Sequence, residues 1–445
     1  MSDSNKTEKA IPTSRASRFG RMARLTAGVA TGVLAEGVRQ ISKGNRPAIS
    51  DMLLTPSNAR RVAKQLSTMR GAAMKVGQLL SMETNDLLPK ELALILAQLR
   101  DSAFTMPRKQ LEKCLVDSYG PQWHQQFAEF DFKPLAAASI GQVHRATTLQ
   151  GDEIVLKIQY PGISESIDSD VDNIASLFRI TNILPEHLDI SVLLKDAKAQ
   201  LHDEANYLIE ASYLEQFYKV FSAWDNVIVP KPYPEHTTQS ILAMQYTPGS
   251  PIEQLEHELP SKADAAMTRL FDIMLAEFFE INLMQTDANF ANFRYQSDSQ
   301  NIVLLDFGAA RSFGAEFIGN YTELLRAAVA QDDQGMIVAA DKLGYKASHA
   351  SSEYQSLLLA VFGVIFEPFT HHGEYNFAVG GISQRLSELG DQAYQFKKYW
   401  QTPPTDILYL HRKLAGLYLL AARLEVKVDC HALLSSRLDL IDQRA

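Results

Sequence analysis

The chain of 445 residues has only two cysteines, Cys114 and Cys430, far apart in sequence. That scarcity excludes a disulfide framework and the paired spacing of a structural zinc site, and it fits a reducing compartment. Long hydrophobic runs are also missing. A membrane-spanning helix needs about 18 consecutive apolar residues. The best stretches here, "LTAGVATGVLA" at 25–35 and "LLLAVFGVIF" at 357–366, are too short. Asp3 and Glu8 interrupt the basic start that a secretory signal peptide requires, which leaves an organellar transit sequence as a lesser alternative. Internal repeats and low-complexity blocks are absent, so solenoids and compositionally biased chains are excluded.

What is present is the composition of an ordinary globular protein, 46% hydrophobic and 21% charged. The net charge of −9 conceals an asymmetry: residues 1–70 hold 13 Lys/Arg against 4 Asp/Glu, so the remainder carries a strong acidic excess. A basic head on an acidic body suggests an anionic partner for the head, membrane lipid or nucleic acid, against the plainer account of a solvated helix face. Arg18, Arg21 and Arg24 recur on one helical side just before Gly28 and Gly32, a combination suited to a membrane interface.

The texture along the chain divides it into four parts. Residues 1–15 read as a disordered tail, and 16–128 as a helical extension with apolar residues spaced at three and four. Residues 129–246 alternate short β-rich runs such as "EIVLKIQY" with an inserted helical pair. After Thr247-Pro248-Gly249 the chain, 247–445, is mainly helical apart from two short strands, "NFRYQ" and "NIVLLDFG". The expected fold class is α+β: a bilobal, protein-kinase-like fold with a small β-containing lobe, a helical lobe and an N-terminal addition.

The chemistry-bearing residues occur in the order phosphoryl transfer requires, which is held phosphates, neutralised charge and an oriented acceptor. Lys157, in "EIVLKIQY", is expected on a strand where it reaches the α- and β-phosphates of a nucleotide. Upstream, Ala136, Ala137, Ala138, Ser139, Gly141 and Val143 form a loop in which Ala136, Ala138, Gly141 and Val143 occupy the fixed positions of G-x-G-x-x-G-x-V. Alanine keeps the small size of glycine but penalises positive φ, so a stiffer loop is expected. Glu204 and Glu210 lie about 120° apart if one helix carries both; Glu210 is assigned as the partner of Lys157. Asp287 and Asn292 form D-x-x-x-x-N, and Asp306 opens "DFG". Asn292 and Asp306 are oxygen donors suited to Mg²⁺, while Asp287 orients and deprotonates an acceptor hydroxyl or water. The His-Arg that precedes such an Asp in ordinary kinases is missing, and Gln285 and Thr286 stand there. The stretch "MRGAAMKVGQLLSM" fits no ordinary kinase; read from its residues alone, Gly77 marks close helix packing.

Taken together these motifs resemble the UbiB/ADCK (AarF-like) family of atypical kinase-like ATPases. The family's K-x-G-Q matches Lys75-Val76-Gly77-Gln78, its Ala-rich loop matches Ala136–Gly141, its variant catalytic loop matches Met284–Phe293, and its "LLDFGA" matches Leu304–Ala309. "HRKLAGLYLLAARL" also looks like a family helix, and the similarity covers roughly residues 15 to 440. The resemblance implies that the K-x-G-Q helices lie over the active site, with Lys75 and Gln78 facing the nucleotide. It implies ATP and Mg²⁺ as cofactors, ATPase or small-molecule phosphotransfer, and support of ubiquinone or other isoprenoid-lipid metabolism. Implied partners are an isoprenoid or quinone lipid, an anionic membrane surface for the basic head and other quinone-biosynthesis proteins, with no nucleic acid. Implied location is cytoplasmic, peripheral at the inner membrane. One departure stands out: the family's E-x-D reads Glu204-Ala205-Asn206 here, with an amide in place of a carboxylate. A nucleotide-binding pseudokinase scaffold and an antibiotic-type phosphotransferase are the alternatives. The intact Lys157, Asp287, Asn292 and Asp306 argue against the first, and the K-x-G-Q and Ala-rich loop against the second.

Overall fold

The computed structural model describes residues 105–181, 191–287, 289–393 and 405–444. The expected tail, most of the expected helical extension, Lys75 and Gln78, and the laying of that extension over the active site fall outside the described residues. The chain divides into two compact units, one running to Ser212 and resuming over Lys231–Tyr246, the other comprising Tyr213–Pro230 and everything from Thr247.

The first unit is built on an antiparallel sheet of β1 (Phe127–Phe130), β2 (Ala136–Ala137), β3 (Gly141–Thr148), β4 (Glu153–Gln159) and β6 (Ile241–Gln245), in the order β1-β3-β4-β6 with β2 beside β3. Every residue of β4 after Glu153 is buried. The reason is cover on both faces, which turns a two-faced strand into a core strand. Leu111 and Leu115 of α1 (Arg108–Tyr119) join Ile154, Leu156 and Ile158 in one apolar cluster. The alternate side chains, Val155, Lys157 and Gln159, point the other way, where Gln159 donates to the carbonyl of Ala205 at 2.7 Å.

Three helices follow: α2 (Ile167–Thr181), α3 (Ser191–Glu204) and α4 (Tyr207–Phe221). The stretch around Glu204 and Glu210, expected as one helix, is therefore two. Asn206 breaks it: its side-chain oxygen accepts from Leu208 N, while Tyr207 N donates away from the helix to Gln239 O at 3.0 Å. An Asn that bonds the backbone two residues on competes with the helical ladder and starts a new helix instead. The 120° separation of Glu204 and Glu210, which assumed an unbroken helix, does not apply.

In the second unit β5 (Val227–Ile228), β7 (Ser250–Pro251), β9 (Phe293–Gln296) and β10 (Asn301–Leu304) make a four-stranded sheet ordered β5-β10-β9-β7. A two-stranded ribbon pairs β8 (Leu283–Gln285) with β11 (Ala310–Ser312). Helix α5 (Pro260–Ala276) runs into a π-helical turn, Glu277–Ile281, closed by Asn282 at φ 55°, a left-handed conformation that asparagine tolerates. Helices α6 (Ala315–Val329), α7 (Asp333–Lys342), α8 (Ser352–Thr370), α9 (Ile382–Ala393), α10 (Thr405–Arg423) and α11 (Cys430–Arg444) complete the unit. Its core is aromatic: Phe271 of α5 stacks on Phe377 at 5.5 Å and lies 6.0 Å from Tyr418 of α10. Among the described residues no helix is long and apolar enough to cross a membrane.

Candidate active site

In the first unit, Lys157 stands at the centre of β4, opposite Val143 on β3 and Leu242 on β6. Its Nζ donates to both oxygens of Glu210, at 2.7 and 2.9 Å. Lysine and glutamate are 7% and 2% exposed, so this is a buried ion pair, held in part by the ring of Tyr207 at 5.2 Å from Nζ. Glu210 is thus a carboxylate that meets Lys157, as assigned, while Glu204 ends α3. Burial of a charge this deep is tolerated only with a partner.

The Ala-rich loop is a hairpin. Ala136 pairs with Val143 and Ala137 with Gln142, and Ala138 N donates to Gly141 O at 2.9 Å. None of residues 136–141 has positive φ, so alanine sits where two kinase glycines would without backbone strain. Gly141 is required for another reason: a Cβ there would strike the backbone carbonyl of Ile158, whose carbon would lie at 3.0 Å, and crowd the Tyr207 hydroxyl at 3.1 Å. Glycine lets β3 approach β4 here. Just beyond it a buried relay anchors the hairpin. Met106 N donates to Gln142 Oε1 at 2.9 Å, Gln142 Nε2 meets His144 Nε2 at 2.7 Å, and His144 Nδ1 meets the carbonyl of Asp131 at 2.8 Å. A carbonyl can only accept, so Nδ1 carries the proton and Nε2 accepts from the amide. Burial holds the His144 pKa below its ordinary value, in keeping with a neutral ring.

In the second unit, β8 delivers Asp287 and the β9–β10 hairpin delivers Asn292 and Asp306. Leu304 pairs with Phe293, and Leu305 N donates to Asn292 O at 3.1 Å, so Asn292 adjoins the residue before Asp306. Asn292 Nδ2 donates to Asp287 Oδ2 at 3.0 Å, and Asp306 Oδ1 accepts from Gly308 N at 3.0 Å in a tight turn. Phe307 is 1% exposed and packs on Phe217 at 4.8 Å, which fixes the backbone on which Asp306 sits.

The residues standing in place of His-Arg do structural work. Thr286 Oγ1 donates to Ala309 O at 2.7 Å, tying the loop to the start of β11, and Gln285 Oε1 accepts from Lys413 Nζ at 3.2 Å. Sequence reasoning missed three charged side chains here. Arg412 of α10 donates to Asp287 Oδ1 at 3.1 Å. Lys413 lies 3.4 Å from Oε2 of Glu277 in the π turn, and both are almost fully buried. Burial pushes the Glu277 pKa up to about 7, outweighing the opposing pull of Lys413. That balance fits an Oε2 with no hydrogen-bond partner among the described residues. The adjacent His411, hydrogen-bonded to Tyr321 at 3.0 Å, is pushed by burial down to about 4. Three successive polar residues, His411-Arg412-Lys413, inside an otherwise apolar helix were the available signal.

Residues 98–340 match the ABC1 atypical kinase-like domain. The chain is similar to the mitochondrial atypical kinase COQ8 of Saccharomyces cerevisiae, 36% identical over 422 residues covering 94% of this chain and 84% of that protein. It is similar also to the mitochondrial atypical kinase COQ8B of Rattus norvegicus, 35% identical over 428 residues, 96% of this chain and 81% of that one. Among solved structures, Rv3197 of Mycobacterium tuberculosis in complex with erythromycin aligns with a TM-score of 0.57 at 22% identity, over 83% of this chain and 92% of that chain. That likeness concerns fold alone, and it agrees with the expected α+β kinase-like architecture.

Proposed function

The chain belongs to the ABC1 atypical kinase-like family and is a kinase-type enzyme, and on that premise we propose that it binds ATP with Mg²⁺ and hydrolyses or transfers the terminal phosphate. The observation that carries the proposal is the cluster at the foot of the β9–β10 hairpin, where Asn292 bonds Asp287 and adjoins the residue preceding Asp306. The donor set suits a hard divalent cation. The amide nitrogen of Asn292 is committed to Asp287, which turns its carbonyl oxygen away as a ligand, and Asp306 is a carboxylate. Asn292 and Asp306 would hold Mg²⁺, which supplies neutralisation of phosphate charge when bound. On the first unit, the residues proposed for the α- and β-phosphates are Lys157, held by Glu210, and the Ala136–Gly141 hairpin with Val143. Asp287 orients the acceptor, a hydroxyl or water, and takes its proton. The family resemblance assigns Lys75 and Gln78, outside the described residues, a part in nucleotide binding.

The acceptor chemistry we propose is that of isoprenoid or quinone lipid metabolism at a membrane, with the basic residues of 1–70 meeting anionic lipid peripherally. Asn206 stands in place of the family's Asp, and its side-chain oxygen accepts from Leu208 N at the start of α4.

Thermal stabilisation by Mg-ATP, followed by ATP hydrolysis with and without anionic vesicles, tests this reading on wild type, Asp306→Asn and Asp287→Asn. Asp306→Asn is expected to lose metal-dependent nucleotide binding, and Asp287→Asn to bind normally but stop turnover. Wild-type behaviour in both variants would overturn the assignment, and binding without turnover in the wild type would favour the scaffold alternative.

A further inference from the structure

The loop before Asp287 supplies no cation of its own, because Gln285 and Thr286 are turned to Lys413 and to the Ala309 carbonyl. The cation comes instead from 125 residues further along the chain. We propose that Arg412 is the positioning residue for proton transfer at Asp287, serving from α10 the role for which the catalytic loop has no basic residue. The inference rests on the reading above that Asp287 handles the acceptor's proton.

Three observations support it. First, both oxygens of Asp287 are engaged from different elements: Oδ1 by Arg412 Nη2 at 3.1 Å, Oδ2 by Asn292 Nδ2 at 3.0 Å. The backbone N of Asn289 adds a longer bond to Oδ1 at 3.3 Å. A carboxylate gripped on both oxygens cannot rotate without breaking a bond, so its remaining lone pairs keep a fixed direction. Second, the pair is sheltered, with side-chain exposures of 16% for Arg412 and 23% for Asp287, where a charge-assisted hydrogen bond outlasts solvent screening better than on an open surface. Third, α10 is a rigid support. Successive helical residues point about 100° apart, and here His411, Arg412 and Lys413 reach three different elements: Tyr321 of α6, Asp287, and Gln285 with Glu277. Six residues before Arg412, Asp406 accepts from Arg311 at 2.9 Å. The helix is pinned on three sides, so the guanidinium is held in register with the loop.

The test is steady-state ATP hydrolysis by the full chain as wild type, Arg412→Met, Arg412→Lys, Asp287→Asn and the Arg412→Met/Asp287→Asn pair. Loss of positioning lowers kcat of Arg412→Met by about 100-fold with KM for ATP changed less than about twofold. Arg412→Lys recovers part of the rate, and guanidinium ion well below denaturing concentration recovers part of the rate of Arg412→Met without raising that of wild type. Against the residual rate of Asp287→Asn, read with excess enzyme once normal turnover has stopped, Arg412→Met causes no further loss, because the two residues act as one unit. A purely structural role gives the opposite set: a lowered melting temperature, no rescue by guanidinium and multiplicative losses. That set, in Arg412→Met or, if it fails to fold, in Arg412→Lys, overturns the inference. An active wild type with Arg412→Met equal to it overturns this inference alone; an inactive wild type removes the proposed function and this inference with it.

Discussion

Lys157 and Glu210 meet through two hydrogen bonds, from the middle of β4 to the first turns of α4, with scarcely any exposure of either side chain. Such a pair is expensive to break from one side and cheap to replace as a whole. Lys157→Met leaves a buried carboxylate and is expected to cost about 3–5 kcal/mol in urea unfolding. Adding Glu210→Leu to it restores most of that stability while nucleotide affinity stays lost. Recovery of affinity in the double variant would show that Lys157 does not touch phosphate.

Gly141 and Ala136 are expected to respond in opposite senses to the glycine–alanine exchange. Gly141→Ala drives a methyl into the Ile158 carbonyl and separates β3 from β4. A loss of at least ~2 kcal/mol is expected, in the range of overpacked cores. Ala136→Gly relieves no strain, since φ there is not positive. It loosens the hairpin, costs up to ~1 kcal/mol, and changes nucleotide affinity. Differential scanning calorimetry and ATP titration separate the two effects; unchanged affinity in Ala136→Gly would mean that the hairpin does not border phosphate.

The dependence of stability on pH should reveal two buried groups that oppose each other. Glu277 has its pKa raised from 4.5 to about 7, so its contribution is full below pH 4.5 and lost as pH rises through 7. His411 has its pKa lowered from 6.5 to about 4, so its contribution is full above pH 6.5 and lost as pH falls through 4. At ~1.4 kcal/mol per unit each amounts to roughly 3 kcal/mol, and between pH 4.5 and 6.5 the two nearly cancel. Relative to wild type, Glu277→Gln should lose stability on acidification and His411→Gln should gain it. Unfolding free energies at pH 4.5, 5.5 and 6.5 check both slopes, and parallel curves for the three proteins would remove the argument.

The strand bearing Lys157 and the strand that ends two residues before Asp306 announced themselves through short β-rich runs bounded by turn residues. The motifs Asp287-x-x-x-x-Asn292 and Asp306-Phe307-Gly308 carried the kinase-like architecture and the family, because spacing within one loop or hairpin is local information. The break at Asn206 was the kind of local competition a residue pattern can hide. Helical periodicity runs straight through it, and only the bond from Tyr207 to Gln239, thirty-odd residues away, shows which way the backbone turns.

Sequence by itself determined the order of the chemical parts, the small residues of the loop, and the missing basic pair before Asp287, since each is a matter of residue type at fixed separation along the chain. Tertiary structure alone decided that Lys157 is buried against Glu210, that Gly141 serves strand contact, and that Arg412 and Lys413 attend the loop around Asp287. Those outcomes depend on which faces are covered and on contacts between residues as many as 128 positions apart. Charge and hydrophobicity read along a chain contain no term for either.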